Sequence, residues 1–332
     1  MTAQLHLVMG GAGAIGRGVI NALRERQLEV MAVERSKTVP GVTTRRADLL
    51  DAAQTDHATA DATHVYLCVG IPYNTRAWLA EWPIVMHNTI AAANRAGARL
   101  VFVDNIYMYG APLAVPFSES HSQDTHTRKG AVRKAVADTL LAAHSAGKVK
   151  AVIGRSADFY GPGAANTNLY QAVLRRMLAG QAPKSIVRID VGHTYAYTLD
   201  NGRALVNLAL DEAAYGQVWH LPVGEPVTIG EVTAIVNGIL STDLKPVVLP
   251  RPIRPVLTLC VKRLREIKDQ LYQFDNPYVM SDHKFRDRYP DFQVTPYEDG
   301  LRATVESFTR DPAYRSTSAM AGIPRANIRG AR

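Results

Sequence analysis

Cysteine is nearly missing from this chain. Cys68 and Cys260 are the two in 332 residues, too few for a disulfide framework and suited to a reducing cytoplasm. No Cys-x-x-Cys occurs and no two histidines stand four apart, so no metal site is expected. No run approaches the roughly 18 consecutive apolar residues of a membrane helix, so no membrane partner is expected. A basic start followed by a long apolar stretch is also lacking, and the chain enters its first strand within five residues. No signal peptide is therefore expected, and a cytoplasmic location is. Acids are absent after Asp311, where Arg315, Arg325, Arg329 and Arg332 leave a small, polar, aperiodic stretch. Residues 313–332 read as a flexible basic tail. Without it the net charge of +8 shrinks to a mildly basic body, as expected of a protein that handles anionic cofactors. No basic stripe with interleaved aromatics appears, so a nucleic-acid partner is not expected. Internal repeats are missing too.

What is present is concentrated at the start, in LHLVMGGAGAIGRGVINALRERQLEVMAVE (residues 5–34). An apolar strand, Leu5 to Met9, meets a glycine cluster, then a helix, then a second strand closed by Glu34. Gly10, Gly13 and Gly16 are spaced by threes, and Gly11, Gly13 and Gly16 also satisfy G-x-G-x-x-G. That spacing lets the strand turn sharply, lets bare backbone approach a pyrophosphate, and lets helix and strand pack closely. The pyrophosphate would sit on the N–H groups of the following helix, around Ala14 and Ile15. Glu34 stands about twenty residues on, where a carboxylate accepts the hydroxyls of an adenosine ribose. It repels a 2′-phosphate and favours NAD; Arg35 and Lys37 beside it pull toward NADP, and NAD is the expected cofactor.

Strands and helices alternate through the first half, which predicts an α/β fold with a parallel sheet covered on both faces. The further strands are expected at Thr43–Arg46, Thr63–Val69, Leu100–Val103 and Lys150–Arg155. A helix carrying Pro83 and a strongly amphipathic one over Thr127–His144 lie between them. After about residue 160 proline becomes frequent and the alternation stops, as in a smaller, loop-rich lobe.

Together with the glycine loop, several stretches resemble the extended short-chain dehydrogenase/reductase superfamily, in particular its NAD-dependent epimerase/dehydratase branch. Asp48-Leu49 is similar to its adenine-contacting pair, and Cys68-Val69-Gly70 to the small residues beside the cofactor ribose. Asn88 falls on the Asn of the central helix. VFVDNIYMYG (101–110), RSADFYGPG (155–163), HTYAYTLDNGRAL (193–205) and TPYEDGLRATVESF (295–308) resemble later family segments. The resemblance implies a Rossmann-type, doubly wound domain with a smaller C-terminal substrate lobe. Residues 1–160, with 186–212 returning, would form the first, and 161–185 with 213–312 the second. It also implies a homodimer through helices 76–97 and 127–146.

The family's Tyr-x-x-x-Lys, set on KGAVRKAVADTLL (129–141), puts Lys134 on the lysine, as a ligand of the nicotinamide ribose, and Gly130 on the tyrosine. Asn105 stands where the family has Ser or Thr, and Ile106-Tyr107 where its dehydratases have Asp-Glu. Asp158 replaces an Asn, which speaks against a sugar nucleotide. Asn105, Tyr107 and Lys134 are thus the candidate catalytic groups. Tyr109 reads as structural, Lys129 and Arg133 lie beside the catalytic helix, and His121, Asp124 and His126 form a polar loop. Tyr160, His193, Tyr195 and Trp219 are candidates for the cleft lining. The expected activity is NAD(P)-dependent hydride transfer on a small carbonyl or alcohol. The alternatives are an NAD-dependent sugar or nucleotide-sugar epimerase, and a redox-inactive dinucleotide sensor.

Overall fold

Five apolar stretches and one short polar one, Thr44–Arg46, run as far as Arg155, with a helix between each successive pair except the second and third. A computed structural model, which describes residues 4–250 and 252–310, makes each of them a parallel strand. In chain order the strands are β1 (Leu5–Met9), β2 (Glu29–Glu34), β3 (Thr44–Arg46), β4 (His64–Leu67), β5 (Arg99–Asp104), β6 (Lys150–Arg155), β7 (Asp158–Tyr160), β8 (Lys184–Ser185), β9 (Tyr195–Tyr197), β10 (Val218–His220) and β11 (Val247–Val248). The helices are α1 (Ala14–Glu25), α2 (Ala52–Thr59), α3 (Thr75–Ala96), α4 (Arg128–Ser145), α5 (Arg175–Leu178), α6 (Thr198–Leu210), α7 (Ile229–Leu240), α8 (Ile253–Cys260), α9 (Lys262–Ile267), α10 (Tyr272–Asp275), α11 (His283–Arg288) and α12 (Tyr297–Arg310).

The chain divides into two units. The first runs through Ala157 and takes in Thr198–Pro222 and Met280–Phe292. Its sheet has the order β10-β6-β5-β4-β1-β2-β3, parallel throughout. The order reverses between β1 and β4, the switch point at which open α/β sheets bind ligands. Every residue of β1 and β4 is buried, as in strands covered on both faces. Trp78, Trp82, Val85, Met86 and Ile90 of α3 share one core with Val132, Val136 and Leu140 of α4 and with Leu7, Leu67, Leu100 and Phe102 of the sheet. Elsewhere α1 packs on α6 through glycine: a Cβ on Gly18 would strike the Thr198 carbonyl, and one on Gly202 the Gly18 backbone.

The second unit holds Asp158–Tyr197, Val223–Val279 and, among the described residues, 293–310. Two small parallel pairs, β7 with β9 and β8 with β11, stand in it. Helix α7 opens on a capping box in which Thr228 and Glu231 satisfy each other's backbone N–H, and α12 packs on α7 and β7. These boundaries differ from the expected ones. Val218 to His220 pair with Ile153 to Arg155 and extend the sheet, so 213–222 belong to the first unit. Residues 280–292 follow, because α11 packs on β10; 186–197 go to the second unit with β9. The expected tail, 313–332, lies outside the described residues.

One pair inside the sheet has consequences for stability. His6 and His64 are register partners on β1 and β4, and their buried rings stack 4.4 Å apart. Burial, with His64 adding to it, pushes His6 down to about 3; burial and the Arg99 charge push His64 down to about 4. Both imidazoles are therefore neutral in the fold and take up protons near pH 6.5 once unfolded. Stability is present above that pH and is lost as the pH falls through 6.5 toward 4. Over pH 6 to 5 this pair contributes nearly two protons to the uptake on urea unfolding, a fall of roughly 2 kcal/mol per pH unit, and His220, pushed down by burial to about 4, adds to it. A flat profile over that interval would contradict the burial of this pair.

Candidate functional site

The first unit carries a cradle at the carboxyl ends of β1, β2 and β4. Gly10 leaves β1 at φ +82, and a Cβ there would come within 2.8 Å of the Val69 Cα and 2.9 Å of the Cys68 carbonyl carbon. Only glycine fits both demands. A Cβ on Gly16 would collide with the Gly10 carbonyl, so α1 also starts against bare backbone. Gly13 caps α1 and donates its N–H to the Gly10 carbonyl at 3.0 Å, while no side chain caps the first turn. The N–H groups around Ala14 and Ile15 are thus left to a ligand or water.

Glu34 closes β2 half-buried, and its carboxylate accepts the Ala12 N–H at 2.6 Å. It therefore also holds the glycine loop, a role its position in the sequence did not show. Arg35 beside it is exposed and stands 4.0 Å from Asp48. Asp48 accepts the Leu50 N–H at 3.1 Å, which turns the chain and buries Leu49. Asn88 explains its place on α3 here: its side-chain amide donates to the Leu49 carbonyl at 2.9 Å and fixes that turn from behind. Cys68 and Val69 present backbone to Gly10, Gly70 is exposed, and burial pushes the Cys68 thiol up, so it is inert. These residues fit a dinucleotide: a Cβ-free approach, an uncapped helix start, and an acid at the end of the second strand.

Beyond β5 the arrangement departs from the expected pattern. Asn105 turns back on the chain, its side-chain oxygen accepting the Tyr107 N–H at 3.1 Å. Tyr107 is half-buried, its ring stacked on Trp78 at 6.1 Å and set edge-on to Tyr73 at 6.4 Å. The Tyr73 hydroxyl donates to the Tyr107 hydroxyl at 3.5 Å. Gly130, on the expected tyrosine position, lies against this turn: a Cβ would strike the Tyr107 carbonyl and the Thr125 hydroxyl.

Helix α4 is less amphipathic than its sequence suggests, because its buried face carries Lys129 and Arg133. The Lys129 ammonium donates to the Thr75 hydroxyl at 3.0 Å and lies 4.5 Å above the Tyr73 ring. Arg133 donates through Nε to Asp104 at 2.7 Å and sits over the Trp82 ring at 4.2 Å. Arg155 reaches the other Asp104 oxygen at 3.3 Å. Burial holds Arg133 below its ordinary value; for Arg155 burial works the same way, but Asp104 and Tyr109 outweigh it. Lys134, the expected ribose ligand, stands on the outer side of α4, its side chain 43% exposed and paired with Asp138 at 2.7 Å.

Tyr109 is buried between Arg155 at 2.8 Å and His220 at 2.7 Å, and burial pushes its hydroxyl up to about 12. In the loop, His121 contacts the Gly110 carbonyl at 3.2 Å, Asp124 accepts the Ser122 hydroxyl, and His126 is exposed. Trp219 is spent on packing, its indole N–H donating to the Ala214 carbonyl at 3.0 Å.

Within the second unit, Asp158 and His193 meet although 35 positions separate them in the chain. A carboxylate oxygen lies 3.2 Å from His193 Nε2, and the buried imidazole stacks between Phe274 and Tyr278 at 4.9 and 5.2 Å. Tyr195 and Tyr160 are buried there too. Among the described residues no cluster of three metal-ligating side chains occurs, and no helix is long and apolar enough to cross a membrane.

Comparison with known proteins agrees with this geometry. The profile of the NAD dependent epimerase/dehydratase family matches residues 6–217. No curated protein sequence matches. Among solved structures, the chain is similar to the UDP-glucose 4-epimerase of Thermus thermophilus, determined in complex with NAD, at 20% identity and a TM-score of 0.72 over 92% of this chain and 99% of that one. It is similar to an epimerase of Methanothermobacter thermautotrophicus at 17% identity and a TM-score of 0.79, covering 96% and 95% of the two chains. It is also similar to the UDP-glucose 4-epimerase of Thermotoga maritima, at 19% identity and a TM-score of 0.75 over 95% and 99%. At these identities the likeness is one of fold, a Rossmann-like α/β sheet. With the family profile covering 212 of 332 residues, on top of a cradle that only glycine permits, the chain belongs to the NAD-dependent epimerase/dehydratase family.

Proposed function

We propose that the protein is an NAD-dependent oxidoreductase that moves hydride to or from a carbinol or carbonyl carbon of a small substrate. The observation that carries this reading is the cradle of Gly10, Gly13 and Gly16 with Glu34 at the end of β2. Gly10, Gly13, Ala14, Ile15 and Gly16 would hold the pyrophosphate, and Glu34 the adenosine ribose. Arg35, Asp48 and Leu49, with Asn88 behind them, would border the adenine; Cys68, Val69 and Gly70 would pass the nicotinamide side. Lys134 would hold the nicotinamide ribose, exchanging Asp138 for its hydroxyls. A nicotinamide bound there supplies or takes the hydride.

The chain itself must then move one proton at the substrate oxygen. Tyr107 is the group assigned to this. Its ring is fixed by Trp78, its hydroxyl has a phenolic neighbour in Tyr73, and Lys129 is a buried cation in the same cluster. A fixed cation favours negative charge on the oxygens around it. Asn105 holds the turn that presents Tyr107 and positions it.

Membership of the family favours a second reading, an epimerase in which hydride leaves and returns to one carbon of a sugar. The two differ in net turnover: an oxidoreductase changes the NADH concentration and an epimerase does not. A homodimer through α3 and α4 belongs to the same proposal, and Leu79 and Ile84 are exposed on α3.

Two substitutions test the reading. Glu34→Ala is expected to weaken NAD(H) binding about tenfold or more while sparing or improving NADP(H), as measured by fluorescence titration. Unchanged affinity for both would remove Glu34 from the cofactor site. Tyr107→Phe is expected to lower kcat by about a hundredfold or more with cofactor affinity unchanged. Turnover at the wild-type rate would show that another group moves the proton.

A further inference from the structure

Eleven large apolar residues are exposed among the described residues, and five of them fall between positions 247 and 261: Val247, Val248, Ile253, Leu259 and Val261. Leu259 is the most exposed of all, at 71%. The same part of the chain is the most basic. Residues 251–268 contain Arg251, Arg254, Lys262, Arg263, Arg265 and Lys268 against a single acid, Glu266. Helices α8 and α9 lie in this stretch; Cys260 is also exposed, and Arg265 and Lys268 reach solvent.

Exposed aliphatic side chains at this density cost solubility unless something covers them. We propose that α8 and α9 dock the second unit onto the surface of an anionic lipid bilayer, Ile253, Leu259 and Val261 entering the headgroup boundary and Arg265 and Lys268 facing lipid phosphate. Charge complementarity selects this occupant. A second copy of the chain would set the same basic stretch of sequence against this one. A nucleic acid would leave the aliphatic side chains unused, and the stretch has no aromatic residue to stack on bases. Short basic helices with apolar side chains on one side bind the interface in this manner without spanning it. The lack of a membrane-spanning helix among the described residues is therefore compatible with surface docking. The proposal is independent of the reaction catalysed.

Co-sedimentation of the full chain with vesicles tests it. The protein should pellet with phosphatidylcholine vesicles containing one-third phosphatidylglycerol at low salt, and remain in the supernatant with pure phosphatidylcholine. Arg265→Ser combined with Lys268→Ser should lower the partition coefficient about thirtyfold, at roughly 1 kcal/mol per cation. Leu259→Ser should lower it about tenfold. All three positions are half-buried or exposed surface sites, and an unchanged circular dichroism spectrum confirms the fold. Failure to pellet with the anionic vesicles overturns the proposal, as does equal pelleting of Leu259→Ser. Binding to polyglutamate without binding to vesicles also overturns it, and assigns the surface to an acidic protein.

Discussion

Backbone meets backbone at the end of the first strand, and the site depends on that contact. Gly10 lies against Cys68 and Val69, just past the end of β4, and Gly16 lies against Gly10. Two Cβ atoms at these positions would push α1 away from the sheet and close the gap in which the uncapped helix start faces the switch point. Glu34 ties the same loop to β2 through the Ala12 N–H. Further along α1, Gly18 and Gly202 repeat the device and seat α6 on it. The glycines are thus a packing requirement and a binding requirement at once, because the surface that accepts a neighbouring strand without side chains also accepts a pyrophosphate without them.

A different constraint governs the end of β5. Asp104 is fully enclosed with Arg133 and Arg155, so one carboxylate is shared by two guanidinium groups. Burying charge this deeply is tolerated only when it is paired and hydrogen-bonded. Here the pairing joins α4, β5 and β6. The surplus cation is spread over aromatic faces, with Trp82 and Phe102 under Arg133 and Tyr109 under Arg155. Next to this cluster the turn of Asn105 and Tyr107 is pressed onto Gly130, which leaves no room for a side chain at that position.

Much of this was legible in the sequence. Apart from the short polar β3, the strands from Leu5 to Arg155, the helices between them and the glycine loop announce themselves because each is local: a run of apolar residues, a spacing of three, an acid at a strand end. Asn88 was legible as a position, though its bond to Leu49 was not. What stayed hidden depends on contacts across long separations or on one-residue rotations. His220 reaches Tyr109 from 111 positions away, and no local pattern marks β10 as a sheet strand. On α4, neighbouring positions differ by about 100° around the axis. Arg133 therefore faces Asp104 while Lys134 faces Asp138, and composition alone gives no reason to choose between them. Lys129 and Arg133 stand four apart and share a face, and that spacing, beside Trp78 and Trp82 with the same spacing on α3, was the available clue.

The central claim is that the cradle at the switch point holds a nicotinamide dinucleotide. The most direct test is to denature freshly purified protein, separate the released small molecules by chromatography and count nucleotide per chain. Any empty protein is then titrated with NADH. The account predicts close to one NAD(H) per chain, either released on denaturation or bound reversibly on titration. Protein that releases no nucleotide and binds neither NADH nor NADPH would contradict it.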